Sequence, residues 1–358
     1  MRLIRLATSL IQDFSKQSDT VNLDGRGGLI PSLVQKNILD PSCLNKSNPT
    51  ARQLAFGLMG WTLMLYTPNP SYNEPSSLQI HDEGSSCFDT LSQPAEVSNR
   101  SFLELVCGFG KVFPWKEIQD VPSNALSDQL HPANLNVATL FKSYGVTVKW
   151  VSCFTSHLEF HEVTRKLSIF CLPSFCKLHD GNETAMERYN FHSVPYKPPK
   201  FSVAQVMQEI LLSYQLFFLN SSQACQYYRR KQRQVLKTVI PEGNQIDPTL
   251  DWLCGYHQTK SSESSLPERT VFSKEVDFPV FAERLSKLQK FASKQQSGTL
   301  KAVWSDHRNF EALYTFRAVI IFGTVSVILS FIQVVLQAIQ TTYTMKSYSN
   351  RGNEGGIG

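Results

Sequence analysis

The segment Ala318–Ile339, with the sequence AVIIFGTVSVILSFIQVVLQAI, decides the architecture of this chain. It contains no Asp, Glu, Lys or Arg in 22 residues. An α-helix rises ~1.5 Å per residue, so this segment reaches roughly 33 Å, enough to cross the hydrocarbon core of a bilayer. The nearest charged residues are Arg317 before it and Lys346 after it. We therefore predict one C-terminal transmembrane helix whose partner is the lipid bilayer.

The rest of the chain is predicted to form a soluble α+β region, with a small antiparallel sheet and several helices. A chain of 358 residues with 42% apolar residues is long enough to bury a sizeable core. We assign residues 1–300 to the soluble region, 301–317 to a juxtamembrane segment and 340–358 to a short polar tail. Stretches with few aliphatic residues and frequent Pro, Ser, Asp or Glu are typical of solvated loops, which we place at about 68–100, 117–134 and 241–270.

Charge and cysteine content exclude two classes of protein. The net charge is +5, from 35 Lys and Arg against 30 Asp and Glu, so no strong basic surface for nucleic acid is indicated. Eight cysteines in a chain of this length, with no CxxC pair, do not indicate a disulfide framework, and we interpret them as buried or free thiols. We find no HExxH, Walker, Rossmann or kinase-type motif and therefore assign no cofactor and no catalytic residue.

The N-terminal sequence MRLIRLATSLIQDFSKQ bears on topology. Arg5 interrupts its apolar run and no cleavage site follows, so we interpret it as a short amphipathic helix and not as a signal peptide. Only 19 residues follow Ile339. We therefore expect insertion after translation, with the soluble region in the cytosol at an intracellular membrane.

Four glycosylation motifs leave a lumenal orientation open as the alternative. They begin at Asn45, Asn99, Asn182 and Asn220. Such a motif is used only when the domain enters the secretory lumen, where the cysteines would also be able to pair.

The middle of the chain carries the clearest strand patterns. Val146–Cys153 alternates apolar and polar residues. His157–His161 and Lys166–Cys171 flank four residues, Glu162–Arg165, and predict a hairpin. We predict that the three segments form an antiparallel meander, with Leu158 facing the core.

Helices are predicted on both sides of this sheet. Ala51–Tyr66 is almost continuously apolar and indicates a buried helix, with an interfacial or re-entrant helix as the alternative. Ser202 and Gln205 form a capping box before a long apolar face. A basic helix near Gln223–Val239 is interpreted as a solvated face, or alternatively as a contact with anionic lipid headgroups. A further helix is expected from about Asp277 to Gln295.

The side chains of His157, Glu159 and His161 alternate along a predicted strand. On one face they resemble an HxExH metal-ligand array, with Cys153 nearby. The simpler interpretation, which we favour, is a solvent face opposite Leu158. A second set, in which Cys171, Cys176 and His179 have the spacing C-x4-C-x2-H, lacks a fourth ligand, and we interpret its thiols as structural.

The predicted span has a polar face. At 100° per residue, five small or polar residues fall within an arc of about 100°. We call these residues the polar face: Gly323, Ser326, Ser330, Gln333 and Gln337. Small residues allow close helix approach, and glutamines form hydrogen bonds between helices. The face predicts association with another membrane helix or with a second copy of the chain.

Three stretches carry a family resemblance. The run WSDHRN followed by Tyr314, Phe316 and the terminal span, the segment ARQLAFGLMGW at Ala51–Trp61, and the hairpin with LPSFCKL up to Leu178 resemble a group of fungal single-pass membrane proteins. Arg317 departs from that pattern, since a Trp is expected there. The resemblance implies a fungal origin, and some members of the group resemble products of secondary-metabolite gene clusters, but it implies no catalytic residue.

Two classes of function follow from the sequence. The first is a membrane-anchored accessory or scaffold protein, associated through the resemblance with fungal secondary metabolism. The alternative is a membrane-bound enzyme acting on a lipophilic metabolite, with His157, Glu159, His161 or Cys171 as the first residues to test.

Overall fold

A computed structural model of the chain separates it into two compact units, Met1–Ser297 and Gly298–Gly358. The structure describes residues 23, 28–37, 39–44, 49–69, 74, 76–83, 90–110, 129–179, 202–240, 245–256, 269–296 and 310–354. Several predictions lie outside these residues. They concern the N-terminal amphipathic helix, the motifs at Asn45 and Asn182, and residues 301–309.

The first unit is a mixture of helices and short strands, as predicted. Its helices, numbered α1 to α12 in chain order, are Leu29–Gln35, Pro49–Leu63, Phe102–Cys107, Pro132–Leu135, Val137–Tyr144, Pro173–Leu178, Val203–Tyr214, Ser222–Tyr227, Arg233–Val239, Pro248–Leu253, Lys274–Asp277 and Ala282–Gln296. Its strands, numbered β1 to β8, are Thr67–Pro68, Ser77–His81, Thr90–Pro94, Gln129–Leu130, Thr147–Val151, Phe160–His161, Lys166–Phe170 and Phe272–Ser273.

The prediction of a solvated loop over 68–100 is wrong for two segments. Strands β2 and β3 pair antiparallel there, and β1 pairs with β2 at the edge. Leu78 and Ile80 of β2 are fully buried, whereas Ser77, Gln79 and His81 lie on the more exposed face. The polar residues on one face of β2 led to the prediction of a loop. Leu78 and Ile80, two positions apart, lie on the other face and pack into the core.

The other two predicted loops are also interrupted by regular structure where the chain is described. Gln129–Leu130 of the 117–134 stretch pairs with Phe272–Ser273 as a two-stranded ladder. Pro248–Leu253 of the 241–270 stretch is the short helix α10, which begins after the capping side chain of Asp247. Residues 117–128, 241–244 and 257–268 lie outside the described part.

The central sheet differs from the predicted antiparallel meander. The hairpin is confirmed, since β6 pairs antiparallel with β7. However, β5 pairs parallel with β7, so the strand order is β5-β7-β6. After β5, a 3-10 turn at Phe154–Ser156 leads the chain to β6 on the far side of the sheet, and β7 occupies the position between them. Alternation of apolar residues predicts which side chains face the core, but it carries no information about strand order.

The predicted helices are present with small changes. Most of Ala51–Tyr66 belongs to the buried helix α2, in which Leu54 and Trp61 remain on the exposed side. The side chain of Ser202 caps α7 by accepting a hydrogen bond from the backbone N–H of Gln205. The basic helix runs over α8 and α9, joined by a π-turn at Tyr228–Gln232. The helix expected from about Asp277 begins at Ala282 as α12, and the short helix α11 ends at Asp277.

A single hydrophobic core connects these elements. Aromatic residues of α7, of β5 and of two π-turns, Gln215–Leu219 and Tyr228–Gln232, stack at its centre. Between ring centroids, Phe218 lies 6.1 Å from Trp150 and 6.0 Å from Tyr228. The indole N–H of Trp150 donates to the Oε1 atom of Gln232 at 3.0 Å. The core therefore joins the central sheet to the helices of the second half of the unit.

The second unit consists of one long helix, α13, from Phe310 to Glu354. Its segment Ala318–Lys346, 29 residues long, is apolar enough to cross a membrane, and none of it is buried against protein. The candidate span is therefore longer than the 318–339 predicted, since Gln340–Met345 adds polar but uncharged residues to the same helix. Residues 340–354 of the predicted polar tail continue this helix.

Candidate functional site

His157 lies at the centre of a buried polar cluster beneath the hairpin. Its side chain is fully buried, which corrects the prediction that it belongs to a solvent face. The backbone turns at Leu158, whose φ is +62°, so His157 and Leu158 are both buried although they are adjacent. The rule that adjacent side chains of a strand point to opposite faces therefore does not apply to His157 and Leu158.

The hydrogen bonds of His157 define its tautomer. The backbone N–H of Phe170 donates to Nδ1 at 3.1 Å, so Nδ1 is the unprotonated nitrogen. Nε2 therefore carries the proton and donates to the Oγ atom of Ser213 at 2.9 Å. Ser213 in turn donates to the backbone carbonyl of Ile210 at 2.6 Å.

This arrangement is not that of a serine nucleophile with a histidine base. A base would have to accept the hydroxyl proton of Ser213, whereas Nε2 already carries a proton. Burial, together with the positive charge of Arg284, lowers the pKa of His157 to about 3. The imidazole is therefore neutral at physiological pH and links β7 to helix α7.

Arg284 of helix α12 forms the next part of the cluster. Its Nη1 atom donates to the backbone carbonyls of Thr155 at 2.7 Å and His157 at 2.6 Å. Its Nη2 atom lies 3.4 Å from the Oε1 atom of Glu159. With 3% of its surface exposed, this guanidinium satisfies two buried carbonyls and joins α12 to the turn that precedes β6.

Glu209 holds the start of the same helix from the other side. Its carboxylate accepts hydrogen bonds from the backbone N–H groups of Val280 and Phe281, at 3.0 to 3.1 Å. Burial raises the pKa of Glu209 to about 8, opposed by these two N–H donors. Arg284 and Glu209 thus bind α12 to the core at two points, and both contacts are structural.

The candidate metal ligands His157, Glu159 and His161 are not brought together as a metal site. His157 is occupied as described, Glu159 faces Arg284, and the Nδ1 atom of His161 lies 3.0 Å from the Oγ1 atom of Thr164 in the hairpin turn. Within the described ranges, no group of three His, Cys, Asp or Glu side chains is arranged to hold a metal ion.

Cys171, Cys176 and His179 also form no ligand set among those residues. Cys176 is fully buried, and the ring of His179 packs against Phe175 with centroids 4.1 Å apart. Burial, together with the negative charge of Glu83, raises the pKa of Cys171 to about 12. The thiol is protonated at neutral pH, which does not suit a nucleophile or a metal ligand.

Most of the basic helix is engaged with the first unit. Arg229 donates from Nε to the carbonyl of Gly255 at 2.9 Å, and Arg233 forms an ion pair with Asp251 at 3.1 Å. The ammonium of Lys231 lies 4.8 Å from the ring centre of Phe141. These contacts show that the helix is only in part the solvated face that we predicted, and they argue against a surface dedicated to anionic lipid.

The polar face lies along an uninterrupted stretch of helix α13, and its residues are exposed. The hydroxyl of Ser330 donates to the carbonyl of Ser326 at 2.8 Å, within the helix. The side-chain amides of Gln333 and Gln337 have no hydrogen-bond partner in the part of the chain that the structure describes. Such amides are poorly solvated in hydrocarbon, so this face is the candidate interaction site.

Sequence reasoning missed the roles of Arg284 and Glu209. Glu209 is an ionisable residue on the apolar face of a core helix, next to Ile210 and two positions after Met207, and Arg284 directly precedes the buried Leu285. An ionisable residue within a buried helix face was the available signal. The sequence does not identify the hydrogen-bond partners, which lie 71 residues away for Glu209 and up to 129 residues away for Arg284.

No protein-family model, curated protein or solved structure matches this chain.

Proposed function

We propose that this chain is a single-pass membrane-anchored accessory or scaffold protein. The observation that carries the proposal is the helix segment Ala318–Lys346, which is uncharged up to its last residue and is not covered by protein. In water its exposed Val, Ile, Leu and Phe side chains would form a large apolar surface, and a lipid bilayer is the environment that suits them.

The orientation we propose is cytosolic, at an intracellular membrane. No disulfide joins any of the six cysteines whose side chains are described, which is typical of a reducing compartment. The amide of Asn220 donates to the backbone carbonyl of Arg269 at 2.7 Å, so the nitrogen that a glycan would occupy is already engaged in a native contact. The link to fungal secondary metabolism rests on the sequence resemblance alone and stays a prediction.

The enzyme alternative gains no support from the residues that suggested it. His157 is protonated on the nitrogen that faces Ser213, Glu159 and His161 are engaged with neighbours, and the Cys171 thiol is protonated. Their contacts stabilise the hairpin and its junction with helix α12.

Carbonate extraction followed by flotation of the full-length protein tests the anchoring. We expect the protein to float with membranes after alkaline carbonate, and the double variant Ile328→Arg/Ile332→Arg to leave the floating fraction. Each arginine at the centre of a span costs about 2.5–3.5 kcal/mol on the insertion scale. Thr342→Arg is the matched control, because a side chain near the end of the span extends its charge to the interface. Release of the unmodified protein by carbonate would refute the proposal.

A further inference from the structure

The polar face extends beyond the predicted span along helix α13. Gln340 and Thr344 continue it, and the seven residues from Gly323 to Thr344 are then spaced alternately by three and four. This is the spacing of the a and d positions of a heptad repeat, which brings residues to one side of a left-handed helix pair. We call these seven residues the heptad seam.

The hydrogen bonds along the helix separate two kinds of polar residue. Several hydroxyls bond to the helix's own carbonyls, among them those of Thr324, Ser330 and Thr341, at 2.7 to 2.8 Å. Gln333 and Gln337 have no such partner within the described residues. Gln333 lies roughly 22 Å along the axis from Ala318, well inside a hydrocarbon core of roughly 30 Å.

We propose that the heptad seam binds a second copy of this chain, as a parallel pair of spans. This inference rests on the proposed membrane anchoring. Two copies with the same orientation place both Gln333 residues at the same depth, and a side-chain amide supplies a donor and an acceptor, so each satisfies the other. Gly323, Ser326 and Ser330 leave room for the backbones to approach in the preceding about three turns.

Oxidative cross-linking of the full-length protein in membranes tests the pairing. Ser330→Cys places a thiol in the seam, and Ile328→Cys places one on the opposite side of the helix. The chain without either substitution reports the background from the natural cysteines. We expect a covalent homodimer with Ser330→Cys at a yield at least tenfold above that with Ile328→Cys.

A second pair of variants tests the glutamines. In the Ser330→Cys background, Gln333→Leu/Gln337→Leu is expected to lower the homodimer yield about tenfold. Gln333→Leu/Val335→Gln keeps the number of glutamines but moves one amide to the far side of the helix, and it is expected to lower the Ser330→Cys yield as well. Equal yields from Ser330→Cys and Ile328→Cys, no homodimer, or an undiminished yield in the glutamine variants would overturn the proposal.

The readout separates this inference from the anchoring itself. Cross-linking is measured on protein that floats with membranes after carbonate treatment. Protein that floats but stays monomeric contradicts the pairing alone, whereas protein that does not float contradicts the anchoring. A covalent product with a different protein in place of the homodimer also overturns the inference.

Discussion

Replacing Arg284 by Met removes the donor that satisfies two buried backbone carbonyls. The Nη1 atom lies 2.7 Å from the carbonyl oxygen of Thr155 and 2.6 Å from that of His157, and the residue is 3% exposed. An acceptor left unsatisfied in the core costs about 1–3 kcal/mol, so two cost about 2–6 kcal/mol. The Met side chain recovers part of this by apolar contact. We expect Arg284→Met to lower the free energy of unfolding by about 3 kcal/mol.

The assay is urea unfolding of the full-length protein in detergent micelles, followed by tryptophan fluorescence. Trp150 is buried in the core, so a change in its fluorescence reports exposure of the core to solvent. Arg269→Met is the matched control, because Arg269 is 45% exposed and its ion pair with Asp277 is on the surface. Such pairs contribute about 0–1 kcal/mol. An Arg284→Met protein as stable as the control would refute the structural role assigned to the buried guanidinium.

Three further predictions use the same unfolding assay. Since the pKa of His157 is lowered to about 3, its contribution to the free energy of unfolding is fully present above pH 6.5 and is lost as the pH falls towards 3. His157→Gln should remove this pH dependence, and an unchanged pH profile of stability would contradict the prediction. Since the pKa of Glu209 is raised to about 8, its contribution to the free energy of unfolding is fully present below pH 4.5 and is lost as the pH rises to 8. Glu209→Gln should flatten the fall of stability over this pH range, and an unchanged fall would count against the prediction. Gly60→Ala should destabilise the protein by about 2 kcal/mol, since the new Cβ would lie 2.5 Å from the Tyr66 ring. Gly57→Ala is the control and should be neutral or stabilising, because its Cβ would have its nearest neighbour at 3.7 Å. Equal effects of the two substitutions on stability would contradict this packing.

The sequence predicted features that depend on composition or on local periodicity. A charge-free run from Ala318 identifies a candidate span without any knowledge of tertiary structure. The capping of helix α7 by Ser202 depends on residues three positions apart, and it was found in the structure. Burial of helix α2 likewise followed from an almost continuous apolar segment.

Features that depend on distant partners were not predictable. Whether β5 pairs with β6 or β7 depends on the turn at Phe154–Ser156, and alternation is the same in both cases. The burial of His157 depends on a positive φ at Leu158, a conformation that the residue type does not indicate. The same limit applies to Glu209, whose acceptor role is defined by backbone donors 71 residues further along the chain.

The central claim is that helix α13 crosses lipid, and the accessibility of a cysteine at position 328 tests it most directly. Ile328 is 53% exposed in the protein alone and lies opposite the heptad seam, so lipid is the group that would cover it. An Ile328→Cys protein in intact membranes should resist a membrane-impermeant maleimide and react fully after solubilisation in SDS, relative to the parent chain. Rapid labelling in intact membranes, at the rate of a surface cysteine, would contradict the account.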